Sequence, residues 1–229
     1  MTYIFSKSLK NLSIALMLIG FLGLAYGFIA VPKSIEQLKA MNIEHHEDSS
    51  SSENKLQENK NDGHEKSHDE HLLHQLQNKP WAALYVSAFF FFMISLGTLA
   101  FYAIQRAAQA GWSPVLYRVM EGITGYLLPG SIIVFIILVL SSLHLNHLFI
   151  WMDSEVVEHD KIIKAKSGYL NIPFFLVRAA FFIFGWSLYR YFSRKFSLAQ
   201  DSSNDISNHK KNFRISAAFL VFYIVTESI

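Results

Sequence analysis

The sequence predicts an all-α integral membrane protein with five transmembrane helices. Of 229 residues, 52% are hydrophobic and only 17% are charged, whereas soluble domains carry about a quarter charged residues. The apolar residues are gathered in segments of roughly 20 residues, the length that a helix needs to cross a bilayer. The chain has no Cys, which excludes disulfides, thiolate zinc sites, iron–sulfur ligation and attached c-type haem. A net charge of +2 gives no reason to expect a nucleic-acid partner.

Residues 1–31 form an N-terminal tail and the first predicted helix. Its apolar part, residues 12–31, contains no charged side chain and ends at Pro32. A secretory signal has a shorter apolar run and a small-residue cleavage site, so we interpret this segment as an uncleaved membrane helix. Gly23 and Gly27 form a G-x-x-x-G pattern, which predicts close packing against another helix.

Residues 32–79 form a predicted outer loop that is acidic, rich in His and largely disordered. The loop contains six of the ten His and ten acidic side chains against six Lys, a net charge of −4. Four of the His are spaced 4, 3 and 3 residues apart, which would align them on one face of a helix: His64, His68, His71 and His74. They are weak candidates for binding zinc or copper, because the polar, low-complexity composition favours a solvated tract.

Residues 80–229 form a predicted bundle of four membrane helices, with spans near 81–104, 123–150, 169–191 and 213–229. Tyr102 lies where an interfacial aromatic belt is expected, near the end of the second span. Ser113 is a predicted N-cap, with Pro114 at the first helical position, and Pro129-Gly130 predicts a kink. The last span reaches Ile229, where a carboxylate inside hydrocarbon would be very costly. We therefore expect the natural chain to continue.

The basic residues near the ends of the spans predict a cytoplasmic N-terminus. With this orientation every Arg lies on or near the inner side except Arg178, and the outer side holds Lys alone near the span ends. Cytoplasmic loops carry an excess of Lys and Arg, so the His-rich loop is expected to lie outside.

Ionisable residues inside spans are functional candidates because they are costly to bury in lipid. His144, Arg178 and Glu227 come from three predicted spans. At a rise of 1.5 Å per residue, His144 and Arg178 lie about 10 Å below the outer boundary, and Glu227 falls in the same layer. We expect an ion pair between Arg178 and Glu227, with His144 near a proton or quinol site. The alternatives are a purely structural pair, or an Arg178 that extends outward to the membrane surface.

Two further sites are predicted from residues three positions apart. His144 and His147 would share a helical face, where they could bind a quinone carbonyl or a metal. Glu121 lies three residues after Arg118, which predicts an ion pair; the alternative is the mouth of a proton path from the cytoplasm.

Seven short runs, in this order, resemble the ActF-type membrane subunit of alternative complex III, a quinol:cytochrome c oxidoreductase. They cover residues 78–85 (NKPWAALY), 103–107 (AIQRA), 111–114 (GWSP), 119–123 (VMEGI), 144–153 (HLNHLFIWMD), 194–201 (RKFSLAQD) and 211–216 (KNFRIS). The resemblance extends over nearly the whole chain except the His-rich loop. It implies a subunit of ten helices in two bundles, distantly similar to NrfD-like proteins, of which this chain is the first half.

The resemblance also implies a function and a set of partners. The protein would be a multi-pass subunit of a respiratory complex in the bacterial inner membrane, supporting assembly and proton translocation. Quinol would be the substrate of the complex, and haem c and iron–sulfur clusters would belong to partner subunits. This chain would bind no cofactor, and a catalytic role of its own stays open. Two other functions are possible from the residues: a quinol-binding subunit, with His144, His147 and Arg178 as contacts, or a stand-alone transporter.

Overall fold

All regular secondary structure in the described part of the chain is helical. The computed structural model describes residues 6–32, 34, 35, 37, 62–152, 157, 161–203 and 205–228, and for residues 62–72 and 74 it describes the backbone alone. The helices are α1 (Lys7–Ile29), α2 (Asp62–Ala107), α3 (Pro114–Ile123), α4 (Leu127–Ser142), α5 (Lys161–Ala165), α6 (Ile172–Asp201) and α7 (Ser207–Ser228). The predicted all-α fold class is confirmed for these residues.

Four helical segments are long and apolar enough to cross a membrane. They are Lys7–Ile29, Gln75–Ala107, Pro114–Ser142 and Ile172–Asp201, and they correspond to the first four predicted spans. The fifth predicted span lies in α7, which is helical but does not belong to this group, because it carries Lys211, Arg214 and Glu227. These segments have the lengths and compositions that are typical of a multi-pass membrane protein.

The chain divides into two compact units, and α2 begins in one and ends in the other. One unit comprises the chain up to Leu84 together with Asn146–Leu148, and the second comprises Tyr85–Leu145 with Phe149–Ile229. The charged and polar side chains described below as a cluster all belong to the second unit.

Helix α1 leaves most of its apolar side chains exposed. The hydroxyl of Ser6 accepts the backbone N–H of Leu9 at 3.3 Å and caps the helix start, and no residue of α1 is buried. Gly27 lies beside Pro80, and the rings of Phe28 and Trp81 meet edge to face with centroids 5.0 Å apart. A side chain at Gly23 would meet no described atom within 4 Å. The predicted close packing is therefore seen at Gly27 and not at Gly23.

Helix α2 begins well before the predicted second span. The disordered loop was predicted to extend to Lys79, but the chain is helical from Asp62 onward, so the prediction is wrong for residues 62–79. These residues are polar, but Glu, Lys, Leu and Gln are all good helix formers. The polar composition of residues 62–79 is a reason not to expect a membrane span there, but it is no reason against a helix. Residues 38–61 lie outside the described part of the chain.

The third predicted span is shorter than expected and is interrupted. Pro114 occupies the first turn of α3 and Ser113 the N-cap position, both as predicted, but the Ser113 hydroxyl forms no capping hydrogen bond and donates instead to the carbonyl of Ala110 at 2.8 Å. A 3₁₀ turn at Thr124–Tyr126 separates α3 from α4. This 3₁₀ turn lies just before Pro129, where the kink is predicted. Proline has no N–H to donate to a carbonyl of the preceding turn, so the regular hydrogen bonding of the α-helix is interrupted there. Helix α4 ends at Ser142 rather than near Ile150.

Helices α6 and α7 pack along their lengths and form much of the core of the second unit. The rings of Tyr189 and Phe219 are stacked with centroids 3.9 Å apart, and Phe181 meets Phe222 edge to face at 5.8 Å. Gly185 lies against the ring of Phe222, where a Cβ atom would overlap it. The connection between the last two predicted spans is shorter than their bounds of 191 and 213 imply, because α6 extends to Asp201 and α7 begins at Ser207.

Candidate functional site

A cluster of polar side chains lies at the end of the second unit, where α2 and α6 end and α3 and α7 begin. We call it the polar cluster, and its members are Tyr102, Arg106, Arg118, Glu121, Ser193, Ser197, Asp201 and Asn212. Most of these side chains are buried. Buried polar groups are costly unless they are hydrogen-bonded, so this arrangement is the strongest candidate for a functional site among the described residues.

Glu121 is the buried carboxylate of the polar cluster. The residue is 8% exposed on α3, and each of its carboxylate oxygens accepts a hydrogen bond. Arg118 Nη1 donates to Oε2 at 2.6 Å, and the hydroxyl of Tyr102 donates to Oε1 at 3.2 Å. The predicted ion pair between residues 118 and 121 is therefore confirmed. The predicted alternative, a proton path that begins at Glu121, stays a prediction.

Arg118 connects the buried carboxylate with one at the surface. Its Nη2 forms a second ion pair, with Asp201 at the end of α6, and donates to the carbonyl of Ser197 at 3.4 Å. The side chain of Asp201 is 64% exposed, that of Arg118 41%, and that of Glu121 9%. The three charged groups thus form a row from the surface to the interior.

Arg106 is a second, fully enclosed cation in the polar cluster. Its Nε donates to the Tyr102 hydroxyl at 3.0 Å, and its Nη2 donates to Ser197 Oγ at 3.2 Å. The guanidinium carbon lies 3.8 Å from the centroid of the Tyr117 ring, a favourable cation–π geometry. Among the described side chains, Arg106 forms no ion pair. The Tyr102 hydroxyl is its link to the charge of Glu121.

The Tyr102 hydroxyl joins three helices through one oxygen atom. It accepts from Arg106 Nε on α2 and from Asn212 Nδ2 on α7, the latter at 3.4 Å. A phenol has one proton to donate, and here that proton points to Glu121. Tyr102 is only 2% exposed, so the predicted position in an interfacial aromatic belt is wrong. The ring faces the protein interior because its hydroxyl has three partners there.

Polar pairs continue from the cluster along the interface of α6 and α7. Ser193 Oγ donates to Asn212 Oδ1 at 2.9 Å, and Asn212 Nδ2 donates to the Ser193 carbonyl at 3.2 Å. Tyr189 and Ser216 share a hydrogen bond of 2.8 Å between their hydroxyls. The indole N–H of Trp186 donates to Thr226 at 3.2 Å. The row of pairs reaches from the polar cluster far along both helices.

His144 and His147 do not share a helical face. Helix α4 has ended at Ser142, and His144 occupies a turn with φ of +57°. Both residues are exposed. The backbone of His147 is held by Asn78, whose side-chain amide donates to the His147 carbonyl at 3.2 Å and accepts its N–H at 3.0 Å. The predicted helical pair is wrong. The apolar sequence continues after Ser142, which predicts a longer span, but the helix itself ends at that residue.

The predicted ion pair of Arg178 with Glu227 does not form. The Arg178 guanidinium carbon lies 3.8 Å from the centroid of the Tyr169 ring and 5.3 Å from that of Phe174. Glu227 is exposed. Side chains on a helix point toward its N-terminus, so Arg178 extends back over the start of α6. The predicted alternative, an Arg178 that extends outward to the membrane surface, stays a prediction.

The His-rich positions are helical in backbone, but their side chains lie outside the described part of the structure. His64, His68, His71 and His74 all belong to α2, so a metal site there stays untested. Within the described residues, no group of three or more His, Cys, Asp or Glu could hold a metal ion.

The sequence matches no protein-family model and no curated protein. The resemblance to an ActF-type subunit therefore depends on the seven short runs quoted above. Four of these runs contain members of the polar cluster, including Arg106, Glu121, Asp201 and Asn212.

Sequence reasoning missed most of the polar cluster. Tyr102 was interpreted as an interfacial aromatic residue, and Arg106 only as a charge that sets orientation. Asn212 lies outside every predicted span. These three residues are polar and lie at the edges of apolar segments, and this is the feature of the sequence that could have indicated the cluster. At such a position a side chain can face either water or a neighbouring helix. Choosing between the two requires the packing of the helices.

Proposed function

We propose that this protein is a membrane subunit of a respiratory quinol:cytochrome c oxidoreductase complex, where it supports assembly and proton translocation. The polar cluster is the observation that carries the proposal. It connects an exposed carboxylate, Asp201, with a buried one, Glu121, and continues through Tyr102 to Asn212. Ionisable groups inside a membrane protein typically mark ion and proton pathways.

The chemistry of the polar cluster suits proton movement better than catalysis on a substrate. A carboxylate can hold a proton, and hydroxyl and amide groups can pass or orient one through hydrogen bonds. The cluster contains two Arg and two acidic side chains, so its formal charges balance. A balanced buried network is tolerated in an apolar surrounding. In this proposal the redox centres, haem c and iron–sulfur clusters, belong to partner subunits, and quinol is oxidised there.

The exposed apolar faces support a place in a larger assembly. Helix α1 buries none of its residues, and large apolar side chains such as Phe184 on α6 and Val221 on α7 are more than half exposed. In lipid these faces meet acyl chains or the helices of other subunits. We propose the bacterial inner membrane as the location, with a cytoplasmic N-terminus. In this topology the polar cluster lies at the cytoplasmic end, where protons are taken up.

The assembly half of the proposal is tested by purifying the tagged chain from its native membrane. Co-purification of proteins with c-type haem absorbance is the expected result. A colourless protein purified alone, from membranes in which quinol:cytochrome c activity is intact, would contradict membership of the complex.

The proton half of the proposal is tested with Glu121→Gln in the intact complex. The variant keeps the size of the side chain and removes the titratable group. We expect the complex to assemble and to oxidise quinol, with the number of protons translocated per electron clearly reduced. Asp205→Asn is the matched control, because Asp205 is exposed at the same end of the unit and outside the polar cluster. Unchanged proton translocation in Glu121→Gln would refute this role.

A further inference from the structure

We propose that Arg118 is a gate for proton uptake at Glu121: the buried carboxylate takes up a proton when the guanidinium leaves it and remains paired with Asp201. This inference rests on the proposed role of Glu121 in proton translocation and adds the step that controls it. Three observations carry it: the double ion pair of Arg118, the gradient of exposure along the row, and the contrast with Arg106.

Proton uptake at Glu121 is coupled to release of Arg118. Both carboxylate oxygens already accept hydrogen bonds, from Tyr102 at 3.2 Å and from Arg118 at 2.6 Å. A proton bound to this carboxylate would remove the negative charge that attracts Arg118 and would weaken their hydrogen bond. The bond that breaks is the charge-assisted hydrogen bond between Nη1 and Oε2, and the bond that forms is an O–H on Glu121. Arg118 keeps its own protons throughout, because guanidinium groups do not lose them in proteins.

Asp201 provides a counter-charge for Arg118 after the guanidinium leaves Glu121. The same guanidinium already pairs with Asp201 through Nη2, so leaving Glu121 does not leave the cation without a counter-charge. Asp201 is the more exposed of the two carboxylates, and the movement is therefore outward, toward water. A cation that moved inward instead would lose hydration without gaining a partner.

Arg106 does not have this freedom. It is 7% exposed, is stacked on Tyr117, and donates to Tyr102 and Ser197. It therefore stays hydrogen-bonded to Tyr102 and Ser197 while Arg118 moves. Among the described residues, Glu121 is hydrogen-bonded to Tyr102 on α2 and to Arg118 on its own helix. Tyr102 in turn accepts from Arg106 on α2 and from the neutral Asn212 on α7, and Arg118 pairs with Asp201 on α6. Of the two cations, only Arg118 reaches the surface.

The gate is tested by the rate of proton uptake at Glu121 after a pH jump, in the intact complex. The probe is the infrared band of the protonated carboxyl group, assigned by its loss in Glu121→Gln. In Asp201→Asn, the departing Arg118 has no counter-charge, and we expect uptake to slow by about threefold, the rate equivalent of an exposed ion pair. In Arg118→Gln the gate is absent, and uptake should be at least as fast as in the unmodified protein. Asp205→Asn is the control and should leave the rate unchanged.

The outcomes separate the gate from the proposed function. Slower uptake in Asp201→Asn together with undiminished uptake in Arg118→Gln supports the gate. If the rate of proton uptake in Asp201→Asn equals that in Asp205→Asn, the gate is overturned. The gate is also overturned if uptake is slow in both Arg118→Gln and Asp201→Asn, because Arg118 would then assist uptake. Asp201 lies at the surface, so its variant keeps the test valid even if Arg118→Gln fails to fold. Proton translocation that is unaffected by Glu121→Gln refutes the proposed function instead.

Discussion

At the scale of single residues, the phenolic oxygen of Tyr102 holds the polar cluster together. It accepts hydrogen bonds from Arg106 and Asn212 and donates one to Glu121. Removing such a group leaves several buried partners unsatisfied at once, and each buried donor or acceptor without a partner costs about 1–3 kcal/mol. The cluster therefore depends on this hydroxyl as well as on its charges.

Tyr102→Phe should destabilise the protein by about 1–3 kcal/mol while leaving the ring contacts in place. The physical reason is that Arg106 Nε and Asn212 Nδ2 lose an acceptor in a buried site. Thermal unfolding of the purified protein in detergent measures the effect. Tyr191→Phe is the control, because Tyr191 is 61% exposed. Equal unfolding temperatures for the two variants would contradict the role that we assign to the hydroxyl.

Arg178 and Glu227 should behave as independent residues. Because the guanidinium stacks on Tyr169 and Glu227 is exposed, the effects of Arg178→Gln and Glu227→Gln on stability should add within about 0.5 kcal/mol. A second cycle, of Arg178→Gln with Tyr169→Leu, should show a coupling of about 0.5–2 kcal/mol from the cation–π contact. A strong coupling of Arg178 with Glu227, or rescue when the two residues are exchanged, would restore the ion pair predicted from sequence.

At the scale of secondary structure elements, the interface of α6 and α7 combines close packing with regularly placed polar pairs. Gly185 allows the ring of Phe222 to lie against the backbone of α6. The pairs Ser193–Asn212, Tyr189–Ser216 and Trp186–Thr226 fix the register of the two helices. Hydrogen bonds between helices are common in membrane proteins, where apolar contact alone does not distinguish lipid from protein. The polar pairs therefore set the register of α6 and α7, and the small residue Gly185 sets how closely the two helices approach.

Gly185→Ala should weaken the packing of α6 on α7 by about 1–3 kcal/mol, because the added methyl group overlaps the Phe222 ring. The matched control is Gly97→Ala in α2, where no described atom lies within 4 Å of the new Cβ. Alanine is favoured over glycine in a helix by about 1 kcal/mol, so this control should not destabilise. Unfolding in detergent compares the two variants. The proposed close approach is wrong if Gly185→Ala is as stable as Gly97→Ala, which has the same gain in helix preference without the overlap.

At the scale of the whole molecule, the distribution of charge predicts one orientation in the membrane. The polar cluster and most Arg side chains would lie on the cytoplasmic side, and the acidic, His-rich segment would lie outside. This arrangement matters for the proposed function, because Asp201 must face the compartment from which protons are taken up.

Reporter fusions test this orientation directly. Alkaline phosphatase fused after Asn54 should be active, because the enzyme folds only outside the cytoplasm, and a fusion after Ser203, between α6 and α7, should be inactive. The opposite pattern would invert the topology and place the polar cluster on the outer side. A second reporter that is active only in the cytoplasm, inserted at the same two positions, serves as the control.

The sequence by itself determined the helices, because the length of an apolar segment and the residues that interrupt it are local properties. Its errors were also local. Hydropathy predicts a helix in the apolar run after Ser142 and disorder in the polar run before Pro80. Both predictions are wrong, because hydropathy reports the surroundings of a residue rather than its backbone conformation.

Only the tertiary structure decided which polar residues meet. Tyr102 and Asn212 are 110 residues apart in the chain, and neither has a local signal that distinguishes an interior partner from solvent. The pair of Arg118 with Glu121 was predictable because both lie on one helical turn. Their connection to Asp201 and Tyr102 was not, because it arises only when α2, α3, α6 and α7 pack together. Packing converts four separate polar helix ends into one buried cluster.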